Sequence, residues 1–116
     1  MRTTKKNFNI FVKECRKWID RLNLNDYRWA FFHQYLDGNT AECTHSYSAK
    51  IITVTLSTEA SEYDRARIPE IAFHEVFEAY LWEIESMCRN RDDESSTEKA
   101  RHAIVHRVWN ILKGIK

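Results

Sequence analysis

The hydrophobic period of this chain changes twice. Over residues 5–23 the apolar side chains return at helical spacing, with Phe8, Phe11, Val12, Cys15, Trp18, Ile19 and Leu22 on one face and Lys13, Glu14, Lys17 and Arg21 on the others. Asn23, Asn25 and Asp26 then supply turn chemistry. From residue 27 the period falls to two. The aromatic-rich segment 27–35, the alternating segment 41–48 and the β-branched segment 51–57 read as three strands, separated by Asp37-Gly38-Asn39 and by a short break at 48–50. In the second strand Ala41, Cys43, His45 and Tyr47 share a face, and in the third Ile52, Val54 and Leu56 oppose Thr53 and Thr55. Hairpin connections would make this a three-stranded antiparallel meander.

After a polar connector at 58–67 the helical period returns. Pro69 suits a first helical turn, and the pattern continues to about Cys88. A charged turn at 89–96 leads to a last helix at 97–114, with Ser95 or Ser96 as its cap and Glu98 near the capping-box position. The predicted fold class is α+β: an N-terminal helix, an antiparallel meander, then an antiparallel pair of long helices. At 116 residues one domain, 1–116, accounts for the chain.

Composition narrows the function classes. The formal charge of +1 gives no overall field towards nucleic acid or membrane, and no signal peptide or membrane-spanning run is visible. A cytoplasmic location is expected. Cys15, Cys43 and Cys88 are dispersed and odd in number, so they read as small buried hydrophobes rather than a disulfide framework.

The unusual chemistry lies within the helix from Pro69. Phe73, Val76, Phe77, Tyr80, Leu81 and Ile84 form a broad apolar face, and His74, Glu78 and Glu85 run along its edge. The i, i+4 spacing stacks His74 over Glu78, while Glu75 points about 100° away. In the last helix Glu98, His102 and His106 form a similar edge. Counting outward from a turn near residue 92 puts Glu78 level with His106, and His102 about a turn closer to the turn. Imidazole and carboxylate are zinc ligands, and a catalytic zinc keeps a water beside three protein ligands. The expected roles are His74 and Glu78 as metal ligands, His102 or His106 as the third, and Glu75 as the base that takes the water's proton. The plainer alternative is a polar edge on a packed helix. His33 and His45 fall in strand patterns and read as structural or surface residues.

The segments "LNLNDYRW", "CTHSYSAKIITVTLS", "IPEIAFHEVFEAYLWEIE" and "ARHAIVHRVWNIL" together resemble a group of small phage-encoded metallopeptidases with the layout of minimal zincins and SprT-like proteins. The resemblance implies one zinc ion, a protein or peptide substrate, and the host cytoplasm as location. It matches His74 to the first ligand and Glu75 to the base of a His-Glu-x-x-His helix. Position 78, histidine in that motif, is Glu here. By local pattern His102 fits the third ligand. The resemblance also implies a substrate laid against an edge strand, taken as 51–57. Two other readings remain. One is a catalytically inactive zincin-like binding protein acting on a host or phage protein. The other is a nucleic-acid-associated accessory protein using the basic first helix, which the near-neutral charge disfavours.

Overall fold

The computed structural model describes residues 1–46, 49–89, 102 and 107. Helix α1 spans Lys5–Arg21. Thr4 caps it: its Oγ1 accepts from the Asn7 N–H at 3.1 Å, and the Asn7 side chain accepts from the Thr4 N–H at 2.9 Å. The other end closes in a Schellman turn. Asn23 takes the left-handed conformation (φ 56°), the Asn23 N–H reaches the Asp20 carbonyl, and the Leu24 N–H reaches the Ile19 carbonyl. Asparagine suits this position because it tolerates positive φ better than most residues. Thr4→Ala is expected to cost about 1 kcal/mol, read as a lower urea midpoint at unchanged slope.

Strands β1 (Arg28–His33), β2 (Ala41–Ser46) and β3 (Ile51–Leu56) form one sheet in the order β1-β3-β2. The three strands sit where the period-two pattern places them, but their pairing corrects the expected meander. β2 and β3 are antiparallel neighbours, whereas β1 pairs with β3 in parallel, Arg28 opposite Ile51 and His33 opposite Leu56. The sheet is therefore mixed, and β3 is its centre rather than its edge.

The physical reason lies at residues 34–40, which do not close a hairpin. They cross the C-terminal end of β3 and are hydrogen-bonded to it: the Gln34 N–H donates to the Leu56 carbonyl, the Ser57 N–H to the Thr40 carbonyl, and the Thr58 N–H to the Gln34 carbonyl. Gly38, at φ 82°, supplies the positive-φ bend within this crossing.

Side-chain size sorts the strands under the helices. β1 turns Phe31 and His33 towards α1, where Arg16 lies 5.0 Å over the Phe31 ring and Phe8 stacks on His33 at 5.1 Å. β2 offers the smaller Ala41 and Cys43 beneath the next long helix. The central Ile52, Val54 and Leu56 are buried, as their alternation against Thr53 and Thr55 requires.

A single helical turn, α2 (Glu62–Arg65), interrupts the expected polar connector. Helix α3 then spans Ile68–Arg89, with Pro69 in its first turn as expected. α3 packs across α1, where Trp18 meets Phe73 edge-on at 4.7 Å, and against β2. Phe11, Cys15, Val54, Ala72 and Val76 are fully buried between the helices and the sheet. The observed class is α+β. The expected turn beyond Arg89 and the closing helix at 97–114 lie outside the described residues, apart from His102 and Arg107. No described helix is long and apolar enough to cross a membrane.

The first residues tie the layers together. The Thr3 N–H donates to the Thr58 carbonyl, and the Thr3 hydroxyl donates to the Ser57 carbonyl at 2.7 Å. With that proton committed, the 2.6 Å contact from His33 Nε2 must be an imidazole N–H donating to Thr3 Oγ1. His33 is thus structural, as its strand position suggests.

Candidate metal centre beside an edge strand

α3 places His74, Glu75 and Glu78 where β2 passes beneath it. Because Ala72, Val76 and Ala79 face the core, the helix turns His74 and Glu78 outwards, with side chains 66% and 46% exposed. His74 Nε2 and Glu78 Oε1 lie 3.4 Å apart. Glu75 turns inwards instead and is 5% exposed. Each of the three can offer a ligand atom such that all lie within 4.8 Å of one another.

This donor set fits zinc in chemistry and in spacing. With bonds of 2.0–2.2 Å, tetrahedral zinc sets its donors ~3.3 Å apart, which the His74–Glu78 pair already matches. The Glu75 carboxylate sits behind that pair and meets no described hydrogen-bond donor.

Burial sets the proton affinity of the centre. The Glu75 carboxyl is pushed up to about 7, chiefly by burial and then by the neighbouring Glu78 charge, with His74 opposing and Glu42 adding least. Below it, the Cys43 thiol is pushed up to about 12 by burial and by Glu75 and Glu78. Cys15 is raised further, again mainly by burial. Both buried cysteines are free thiols, as their apolar settings suggest; the Cys88 side chain lies outside the described residues.

A 320 Å³ cleft opens beside the centre. Thr40 and Ala41 form one wall, at the start of β2; Asp64, Arg67, Glu70 and Ile71 form the other, and His74 and Glu75 close the end. The α2 turn is latched across it. Ser61 caps the Asp64 N–H at 3.1 Å, and the Thr40 hydroxyl donates to the Asp64 carboxylate at 2.7 Å.

The chain matches no protein-family model, no curated protein and no solved structure. Its site must therefore be argued from its own residues.

Of the residues singled out from sequence, the fold brings together His74, Glu75 and Glu78. His102 is exposed and outside this group, and His106 lies outside the described residues. Arg107 meets α3 through a buried ion pair. Arg107 pairs with Glu83 and lies 5.1 Å over the Tyr80 ring. The height count expects residue 106 level with Glu78. The same count puts residue 107 level with Phe77, whereas Arg107 meets Glu83, six residues or ~9 Å further along the α3 axis.

The edge-strand expectation is also corrected. Segment 51–57 has a partner on each side, so it cannot receive an extended peptide. Among the described residues, the strand beside α3 with a free edge is β2. Ala41 lies beside His74 and Glu75, and the His45 ring lies 4.2 Å from Trp82. β2 and α3 therefore run in the same sense. Trp82 is half-buried.

Sequence reasoning passed over Asp64, Arg67, Glu83 and Arg107. Glu83 carried a signal. It falls seven residues after Val76 and four after Ala79, on the buried face, where a carboxylate requires a partner. Asp64 and Arg67 carried little, because a short capped turn reads as an ordinary polar connector.

Proposed function

We propose that this protein is a zinc-dependent peptidase of the zincin-like kind, with His74 and Glu78 as metal ligands and Glu75 as the general base. One observation carries the reading: the side-chain ends of His74, Glu75 and Glu78 converge within 4.8 Å, with His74 and Glu75 closing a cleft beside β2, whose outer edge bears no strand among the described residues. A third protein ligand would come from His102 or His106. Zinc, when bound, would lower the pKa of a bound water towards about 7 and polarise the scissile carbonyl.

The remaining steps belong to the chain. The outer edge of β2, which bears no strand among the described residues, would align an extended peptide by strand addition. Glu75, buried and close to neutral pH in proton affinity, takes a proton from the attacking water on its carboxylate. As the C–N bond breaks, Glu75 returns that proton to the departing amine. Its burial keeps bulk water from competing for the proton.

The competing reading is a binding protein on the same frame that holds no metal. It rests on Glu78, which stands where the zincin helix carries histidine and whose Oε1 lies 3.4 Å from His74 Nε2. Elemental analysis of untagged protein separates the two. We expect about one zinc per chain in the wild type and well under half that in His74→Ala. A wild-type protein that takes up no zinc from a zinc-supplemented buffer would leave the binding protein.

A further inference from the structure

The cleft beside the metal centre has a charge of its own. The segment from Glu59 to Glu85 carries eight carboxylates and two arginines, although the whole chain is close to neutral. Asp64 and Glu70 belong to that segment and line the cleft; Glu75 closes its end, with Glu42 and Glu78 near enough to act on it. Arg67 is the single cation among the cleft residues, and it is committed. Its Nη1 donates to the Tyr63 hydroxyl at 3.0 Å, its guanidinium stacks 4.4 Å from that ring, and it lies 3.5 Å from Glu70 and 4.0 Å from Asp64. Three carboxylates, Asp64, Glu70 and Glu75, line the cleft with one guanidinium, so its lining is acidic.

A second observation points independently to a ligand. Glu75 is 95% buried, lines the cleft and has no side-chain hydrogen-bond partner among the described residues. A buried carboxylate without a partner calls for one supplied from the open side.

Strand direction says which part of a peptide enters. A peptide added antiparallel to β2 runs against α3. Its residues on the carboxyl side of the scissile bond then lie towards Thr40 and Ala41, at the cleft, and those on the amino side towards His45 and Trp82. We propose that the cleft formed by Thr40, Asp64, Arg67 and Glu70 is a specificity pocket for a cationic side chain, lysine or arginine, next to the scissile bond on its leaving-amine side. The alkyl stem of that side chain would lie along Ala41 and Ile71 and its charged end would meet Asp64 and Glu70, with Arg67 holding both carboxylates in place. An acidic side chain would meet the same carboxylates and be repelled.

This inference rests on the peptidase reading for its orientation, and its test is separable from that reading. The protein used is Glu75→Gln, which keeps His74 and Glu78 and cannot turn a substrate over. The probes are end-blocked alanine hexapeptides with one central Lys, Ala or Glu, titrated calorimetrically with and without added zinc. Zinc content is measured on the same samples.

The lysine peptide is expected to bind at least about fivefold more tightly than the glutamate peptide, with the margin shrinking at high salt. Adding Glu70→Gln should remove most of the margin, because this exposed side chain can lose its charge without disturbing the core. Adding Asp37→Asn, an equal change of charge on the exposed crossing loop, should leave it intact. Equal binding of the three peptides, no binding of any, a preference for glutamate, or an effect of Asp37→Asn as large as that of Glu70→Gln would each overturn the pocket. A protein without zinc that still prefers lysine keeps the pocket and loses the peptidase.

Discussion

Glu75→Gln is expected to make the metal-free protein more stable above neutral pH while abolishing peptide hydrolysis by the zinc form. The folded-state carboxyl titrates near 7 and its ordinary value is 4.5. Between those values the folded state holds a proton that the unfolded state has released. The stability associated with that proton is fully present below about pH 4.5 and is lost as pH rises through about 7. At about 1.4 kcal/mol per unit, the loss amounts to about 3 kcal/mol by pH 8. The substituted amide has no charge to bury, so the variant should lack this slope. Thermal melts of chelator-treated wild type and variant from pH 4 to pH 8 would read it; parallel curves would show that Glu75 is not held protonated by burial. In the zinc form the same substitution removes the proton acceptor. A fall of about 10²–10⁴-fold in peptide cleavage is expected, with zinc content unchanged. Full activity in the variant would remove Glu75 from the chemistry.

The second large effect concerns Glu83 and Arg107, whose side chains are only about a tenth exposed. Arg107→Met leaves the Glu83 carboxylate buried without its counter-ion. A loss of about 3 kcal/mol is expected, read from urea midpoints. Adding Glu83→Leu should recover most of it, since an apolar pair of similar volume needs no charge compensation. A single variant as stable as the wild type would mean that the Arg107–Glu83 pair does not support the fold.

The sequence conveyed the local structure of this protein better than its connections. α1, the three strands and α3 follow from periods of 3.6 and 2, because each element buries one face and each period marks that face. The stacking of His74 over Glu78 follows from the same arithmetic, since residues four apart on a helix are neighbours. Strand order does not follow. Asp37-Gly38-Asn39 has hairpin composition, but such residues satisfy any sharp bend, including one that carries the chain past the end of a third strand. The inward turn of Glu75 was accessible only as an angle. Its burial depends on Ala41 and Cys43 letting β2 approach α3, a distance that no local pattern contains. The buried Glu83 was visible as a charge on an apolar face; its partner, 24 residues later, was not.

The strand order also sets an order of assembly. β2 and β3 are joined by a short connection and can zip together locally. β1 must find β3 in parallel register, with Arg28 and Ile51 23 positions apart, and the crossing segment must close over the end of β3 as it does so. Closing that larger loop costs entropy before its contacts repay it. The β2–β3 hairpin under α3 can thus form before β1 docks, and with it the outer edge of β2 and the His74–Glu78 pair. In this molecule the candidate site belongs to the part of the sheet that can assemble first, and the aromatic strand beneath α1 completes the domain around it.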